Sequence, residues 1–336
     1  MSRSTAAVVA LCDYHPQQES LRDTILDGLR RPQKMLPPVY FYDERGSHLF
    51  DRITELPEYY LTRTELAIMR EYGSEIGGLV GERAAIVELG SGSSLKTRLL
   101  LDALREPAAY LPVDISRSHL VHAARGLAAD YPHLEILPIC ADFSAPFDLP
   151  RPRVAPRRNV VYFPGSTIGN FHWDEAYALL LSIARIARAG GALLIGVDLK
   201  KDRATLERAY NDAQGVTAEF NLNMLVRLDR ELDATFDLRA FRHRAVWNEA
   251  KSRIEMHLVS QRAQSVFVAG ERFEFRAGEH ILSECSYKYT PTQFAALAAE
   301  AVFEVRRVWT DAAALPNVKS ACFSSMMVFA KENSPI

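Results

Sequence analysis

Cysteine is scarce and dispersed in this chain of 336 residues: Cys12, Cys140, Cys285 and Cys322 form no C-x-x-C pair. Such spacing suggests neither a disulfide framework nor a cysteine zinc site, and a reducing cytoplasm is the expected compartment. Long apolar runs are missing too. None approaches the roughly 20 residues that cross a bilayer, so no membrane association is expected. The short stretch from Ala6 to Cys12 stops at Asp13 without a small-residue cleavage site, so the N-terminus reads as part of the mature chain. Neither sign of charge dominates. With 40 basic against 42 acidic residues the formal charge is -2, which gives no electrostatic reason to expect nucleic acid. The nine histidines show no H-x-H or H-E-x-x-H spacing, so no metal is expected, and there is no G-x-S-x-G elbow. Internal repeats and low-complexity tracts are also lacking.

What is present is the composition of an ordinary globular protein, 48% hydrophobic and 24% charged, at a length that suits one large domain or two. From Ala84 to Lys200 short apolar runs (AAIVELG, YLPVDIS, LEILPICADF, RNVVYFPGS, GALLIGVDL) alternate with helical stretches, one of them from Trp173 to Ala189. That rhythm predicts βαβ units and a parallel sheet. The runs lack polar alternation, as strands covered by helices on both faces do. A helix from Pro291 to Ala301 and the runs FEVRRVW and FSSMMVFAK complete the same sheet. Between Asp202 and Glu284 two polar helices precede period-two segments such as Arg253 to Val259 and Glu271 to Phe275, which read as antiparallel strands of an insertion. The first sixty residues show no βα rhythm and many aromatics, and they are placed with the insertion. The fold expected is therefore α/β: a Rossmann-like doubly wound sheet over 62–200 and 285–336, and a second α+β domain over 1–61 and 201–284.

The run Val87-Glu88-Leu89-Gly90-Ser91-Gly92-Ser93 stands where the first strand turns into a helix. Glycine lets backbone approach a ligand closely, although a tight βα turn alone also wants it. A Walker phosphate loop and a dinucleotide fingerprint both require glycine where this chain has Leu95. An S-adenosylmethionine site carries no pyrophosphate and needs only the open turn, plus an acid at the end of the second strand for the ribose. Asp114 in LPVDIS is such an acid, at about the 20-residue separation expected, though it also suits a helix N-cap. Asp142 and Phe143 follow the third strand and offer an acceptor for the adenine amine and an aromatic for its face. All of these stand at strand carboxyl ends, the edge where open α/β sheets bind ligands.

Beyond this pattern the chain resembles the histidine Nα-methyltransferases of ergothioneine biosynthesis, from about Val39 to the C-terminus. The likeness rests on FYDERGSHLFDRITELPEYYLTRTE, VELGSGSSLKT, PVDIS, FPGSTIGNF, Tyr210-Asn211-Asp212 with FNLNMLVRLDREL, and SECSYKY. It implies a class I methyltransferase fold with an extra substrate-binding domain, and trimethylation of L-histidine to hercynine, with a monomer expected. It implies that Gly90, Lys96, Asp114, Asp142 and Phe143 line the cofactor, and that Tyr60 stands at the substrate amine as the catalytic residue. Asn170 and Tyr210 resemble the pair that holds the carboxylate, both being hydrogen-bond donors. Glu284 and Ser286 are similar to the pair that reads the imidazole, and Met256 would pack on that ring. Singly, Asn170 could shape a turn, Tyr210 and Met256 could be core, and Glu284 an exposed charge. The Pro- and Arg-rich RPRVAPRR departs from the family pattern and is placed in a surface loop. Two alternatives stay open: methyl transfer to another small amino acid or indole amine, and a non-catalytic cofactor-binding module.

Overall fold

The computed structural model describes residues 11–14, 20–91, 95–311 and 324–331. Its central sheet has eight strands: β1 (Cys12–Asp13), β2 (Ala84–Leu89), β3 (Ala109–Asp114), β4 (Ile139–Cys140), β5 (Arg158–Phe163), β6 (Ala192–Asp198), and the late pair β12 (Phe303–Thr310) and β13 (Ser324–Lys331). Their order is β1-β4-β3-β2-β5-β6-β13-β12. Neighbours from β1 to β6 run parallel, whereas β13 is antiparallel to both β6 and β12. β2 therefore sits between β3 and β5, the point where strand order reverses and a crevice opens at the carboxyl ends. Every residue of β2 and β6 is buried, because α3 (Tyr60–Val80), α4 (Leu95–Ala103), α5 (Arg117–Asp130), α6 (Trp173–Ala187) and α9 (Pro291–Glu300) cover the sheet.

A separate three-stranded antiparallel sheet, β11-β8-β7, is built from β7 (Phe241–Asn248), β8 (Arg253–Ser260) and β11 (His280–Tyr287), with the hairpin β9 (Gln264–Val268) and β10 (Glu271–Phe275) beside it. α7 (Arg203–Tyr210) and α8 (Val216–Leu232) pack on these strands, α2 (Glu44–Glu55) packs on α8, and α1 (Leu21–Arg30) joins the same core. Leu26, Phe41, Leu49, Phe220, Met224, Ile254 and Phe275 share one core there, distinct from the two cores on the faces of the central sheet. No helix among the described residues is long and apolar enough to cross a membrane.

Three expected boundaries need correction. Residues 12–13 belong to the edge of the central sheet, where Cys12 N donates to Pro138 O at 2.9 Å, not with the insertion. A division between 284 and 285 would cut β11, which pairs with β8 as far as Tyr287. A division between 61 and 62 would cut the first turn of α3. The run LEILPICADF also yields only the two residues of β4, since Pro138 has no N–H for a ladder bond. Cys12, Cys140 and Cys285 are free thiols, and Cys322, Gly92 and Ser93 lie outside the described residues.

Candidate active site

Gly90 closes β2 with φ +69°, and a Cβ built on it would meet nothing within 4 Å among the described residues. Its N–H and that of Ser91 donate to Val113 O at 2.9 and 3.4 Å, which holds the turn over the end of β3. The Ser91 hydroxyl is buried and has no partner among the described residues. Asp114 ends β3 half-buried, burial raises its carboxyl above the ordinary range, and its Oδ1 accepts from Ser116 N at 2.8 Å. Asp142 follows β4 and accepts from Ser144 N and Oγ at 2.8 and 2.6 Å. Phe143 meets Phe163 edge-on at 5.7 Å. These groups share one sheet edge, and an open glycine turn, a buried hydroxyl with no partner among the described residues and a half-buried acid fit an adenosyl group.

Lys96 has a protein counter-ion. Its Nζ pairs with Glu65 of α3, whose nearly buried carboxylate also accepts from Gly165 N at 2.9 and 3.0 Å. Glu88, one strand residue before the glycine turn, is buried and accepts from Thr97 Oγ1 at 2.8 Å and Tyr110 Oη at 2.6 Å. Burial pushes its carboxyl to about 7 despite those two donors.

At the end of β6 the cofactor sheet meets the second lobe through a buried polar chain. Tyr60 Oη donates to Asp198 Oδ2 at 2.9 Å. Lys201 Nζ donates to Tyr60 Oη at 2.8 Å and to Asp198 Oδ1 at 2.5 Å. Lys288 Nζ reaches Asp198 Oδ2 at 2.7 Å, Tyr210 Oη at 2.9 Å and Ser286 Oγ at 2.8 Å. Tyr210 Oη in turn donates to Ser286 Oγ at 2.9 Å. The side chains of Asp198, Lys201 and Lys288 are fully buried. Removing one member of such a network leaves an uncompensated charge, so its geometry is held firmly.

Glu284 and Ser286 alternate onto one face of β11, and Glu284 stands directly across from Met256 of β8. A register shift between Leu282 and Glu284 bulges the strand at Ser283, whose hydroxyl donates to Asn221 Oδ1 at 2.7 Å and Met256 O at 3.0 Å. A bulge re-aims the side chains that follow it, and here those are Glu284 and Ser286. Burial pushes the Glu284 carboxyl up to about 7, with Lys288 pulling the other way, although the residue keeps an open part of its surface. Tyr42 shows the same combination: 45% of it is open, yet burial holds its phenol well above the ordinary value, with Glu284 and Tyr210 near. Asn170 ends the 3-10 turn Thr167–Asn170, and Gly169 lets that turn lie on β11: a Cβ there would stand 2.8 Å from Tyr287 O and 3.6 Å from Ser286 Oγ.

The structure thus brings Tyr60, Tyr210 and Ser286 into one network, with Asn170, Met256 and Glu284 on the elements beside it. Gly90, Asp114, Asp142 and Phe143 gather along the neighbouring edge. Tyr210 and Ser286, expected to serve opposite ends of a substrate, touch each other, so the Tyr210 proton must turn from Ser286 to meet a carboxylate. Met256 is 2% exposed and belongs to the core as well. Sequence reasoning missed Asp198, Lys201, Lys288, Glu65 and Tyr42. The first carried a readable signal, a charge closing an apolar strand in GVDLKK, like that of Asp114. Among the described residues no cluster of metal ligands occurs.

Comparison with known proteins gives the family. A family model described as "Histidine-specific methyltransferase, SAM-dependent" matches residues 21–320. The chain is 45% identical over 300 residues to the histidine N-alpha-methyltransferase of Mycolicibacterium smegmatis, covering 88% of this chain and 92% of the relative. It is 43% identical to the enzyme of that name from Mycobacterium tuberculosis, with the same coverage. It is 31% identical over 298 residues to ergothioneine biosynthesis protein 1 of Neurospora crassa, covering 85% of this chain and 33% of that longer protein. A match across nearly the whole chain, joined to identities of this size, places the protein: it belongs to the S-adenosylmethionine-dependent histidine-specific methyltransferases.

Proposed function

We propose that the chain transfers methyl groups to the α-nitrogen of L-histidine three times, giving hercynine at the first step of ergothioneine biosynthesis. The observation that carries this reading is the polar pair Glu284 and Ser286, set on one face behind a bulge and joined through Lys288 to Asp198 of the cofactor sheet. Ser286 Oγ accepts from Lys288, and still does once Tyr210 turns its proton to the substrate carboxylate, so the Ser286 proton is left to donate, whereas an ionised Glu284 only accepts. One donor beside one acceptor is complementary to a neutral imidazole, which has one ring N–H and one bare nitrogen. Met256 lies beneath that position, and Tyr42 faces it from the other lobe element.

When bound at the Gly90 edge, S-adenosylmethionine supplies an electrophilic methyl on a sulfonium. The chain's own task is to align the amine with that methyl and exclude water. The Tyr60 proton is committed to Asp198, so toward the amine its oxygen acts as an acceptor. Accepting an N–H fixes the nitrogen and leaves the lone pair facing the methyl. Asn170 and Tyr210 hold the carboxylate, Asp114 the ribose, and Asp142 with Phe143 the adenine, with Lys96 near the cofactor through its Glu65 pairing. The faces of Tyr60 and Phe143 accommodate the growing quaternary ammonium by cation–π attraction. We place the substrate lobe in residues 20–59 and 201–288, and we take the protein to act as a monomer in the cytoplasm. Proton NMR of the product made from histidine and S-adenosylmethionine tests this: a single trimethylammonium signal on the α-nitrogen is expected, and methylation of a ring nitrogen would overturn it.

A further inference from the structure

The run FNLNMLVRLDREL lies in α8, and its buried face carries a polar residue. Asn221 stands one turn before Met224 and Leu225 and two before Leu228, on the stripe that packs against β7 and β8, and it is 0% exposed. Asparagine is a poorer helix former than leucine, and burying its amide is costly unless each polar atom finds a partner. Here each does. Nδ2 donates to His257 O of β8 at 3.1 Å and to His243 Nδ1 of β7 at 2.8 Å, and Oδ1 accepts from Ser283 Oγ of β11 at 2.7 Å. The reverse orientation of the amide would set its oxygen against the His257 carbonyl, acceptor on acceptor.

Two of these partners flank the interruption in the ladder between β8 and β11. Leu282 pairs with His257 and Glu284 with Met256, so Ser283 is the extra residue of the bulge. A bulged residue has no partner opposite it, and its other contacts decide its conformation and the aim of the side chain that follows. Asn221 supplies such contacts on both strands, holding the His257 carbonyl on one and the Ser283 hydroxyl on the other. The same amide reaches toward Tyr210. His243 Nε2 lies 2.8 Å from Tyr210 O, which can only accept, so the ring proton is on Nε2 and the bare Nδ1 takes an amide proton of Asn221. Tyr210 ends α7, and the next residue, Asn211, ties that end to Ala245 of β7 by bonds of 2.9 and 3.0 Å.

We infer that Asn221 is a positioning residue for substrate choice, a side-chain staple across the bulge that fixes where Glu284 stands relative to Tyr210. This rests on the reading that Glu284 takes the imidazole and Tyr210 the carboxylate, so that the two mark opposite ends of one ligand. Both amide protons of Asn221 are already taken, and it acts through Ser283, His257 and His243 rather than by contact with substrate. A polar site held still is left with unpaired groups when a wrong side chain enters, and it rejects that side chain strongly. A site that can relax rejects it less. Loss of the staple therefore weakens histidine binding and widens the range of amino acids accepted, while the cofactor edge, built from other elements, is untouched.

The test is a double-mutant cycle on histidine affinity, measured by calorimetry in protein saturated with S-adenosylhomocysteine, using Asn221→Ala, Glu284→Ala and the two together. Asn221→Ala alone should weaken histidine binding about 10-fold and raise its KM to match, with kcat at saturation within about twofold of the parent. Affinity for S-adenosylhomocysteine should be unchanged. In the Glu284→Ala background the same substitution should cost no more than about twofold, because the carboxylate it aims is gone. A role in general stability would weaken binding by equal factors in both backgrounds, and that additivity overturns the inference. So does an Asn221→Ala protein that binds histidine like the parent. Should Asn221→Ala fail to bind S-adenosylhomocysteine, Ser283→Ala removes the donor on the bulge, leaves the other bonds of Asn221 in place and runs the same cycle with the same expected pattern. A Glu284→Ala protein with parental histidine affinity overturns the imidazole reading instead, and the staple falls with it.

Discussion

Replacing Glu284 with alanine isolates the group on which substrate choice rests. The carboxylate faces Met256 across the bulged strand pair, and among the described residues Lys288 is the charge that opposes the effect of its burial. If its ionised form accepts a ring N–H, the substitution removes a hydrogen bond to a charged group, worth about 1.5–3 kcal/mol. That corresponds to roughly 10- to 150-fold in affinity. The assay is calorimetric titration of histidine into protein saturated with S-adenosylhomocysteine, whose own affinity should not change. The pH dependence adds a second signature. The Glu284 carboxyl is raised to about 7, so in the empty protein it gains its charge as pH climbs through that value. The ratio of parent to Glu284→Ala affinity should therefore grow between pH 6 and pH 8, a comparison in which the titration of histidine itself cancels. A difference within about 0.5 kcal/mol at every pH, as an exposed side chain would give, refutes the reasoning.

Asp114→Ala should weaken S-adenosylhomocysteine binding by about 1.5–3 kcal/mol in calorimetry while leaving the fold intact by circular dichroism. Gly169→Ala places a Cβ 2.8 Å from Tyr287 O, so the Asn170 turn must lift from β11. A loss of about 1–3 kcal/mol of stability and a higher KM for histidine are expected in denaturation and steady-state assays. Glu88 has a carboxyl raised from 4.5 to about 7. A group raised in this way contributes stability that is present below its unfolded value and lost as pH rises through about 7. Urea denaturation at pH 5 and pH 8 should show Glu88→Gln flattening that loss, by an amount on the order of 3 kcal/mol, because the amide oxygen keeps the donors Thr97 and Tyr110.

The central sheet was legible because its strands are continuous apolar runs closed by glycine or acid, and Gly90, Asp114 and Asp142 sit where those runs end. The insertion was legible as a change of period, and β8 and β10 follow the alternating segments. What stayed hidden was long-range pairing. Nothing local in Cys12 and Asp13 says that they join β4, and the continuity of β11 past Glu284 depends on its ladder with β8 rather than on its own pattern. The junction shows the same division. Tyr60, Tyr210 and Ser286 were named one by one, yet their mutual contacts run through Asp198, Lys201 and Lys288. Lysine in a sequence reads as solvated surface, and only the fold shows two of them buried around one carboxylate. Tyr42 stood within a quoted aromatic stretch, and its place beside Glu284 needs the 3-10 turn Pro38–Phe41 and the packing of Phe50 and Phe220.

The most direct measurement of the central claim is a competition: the purified chain, S-adenosylmethionine and an equimolar mixture of the protein amino acids, followed by mass spectrometry of every component. Histidine alone should gain methyl groups, accumulating as the species with three. Methyl transfer to tryptophan or another amino acid in preference to histidine, or no transfer to any of them, would contradict the account.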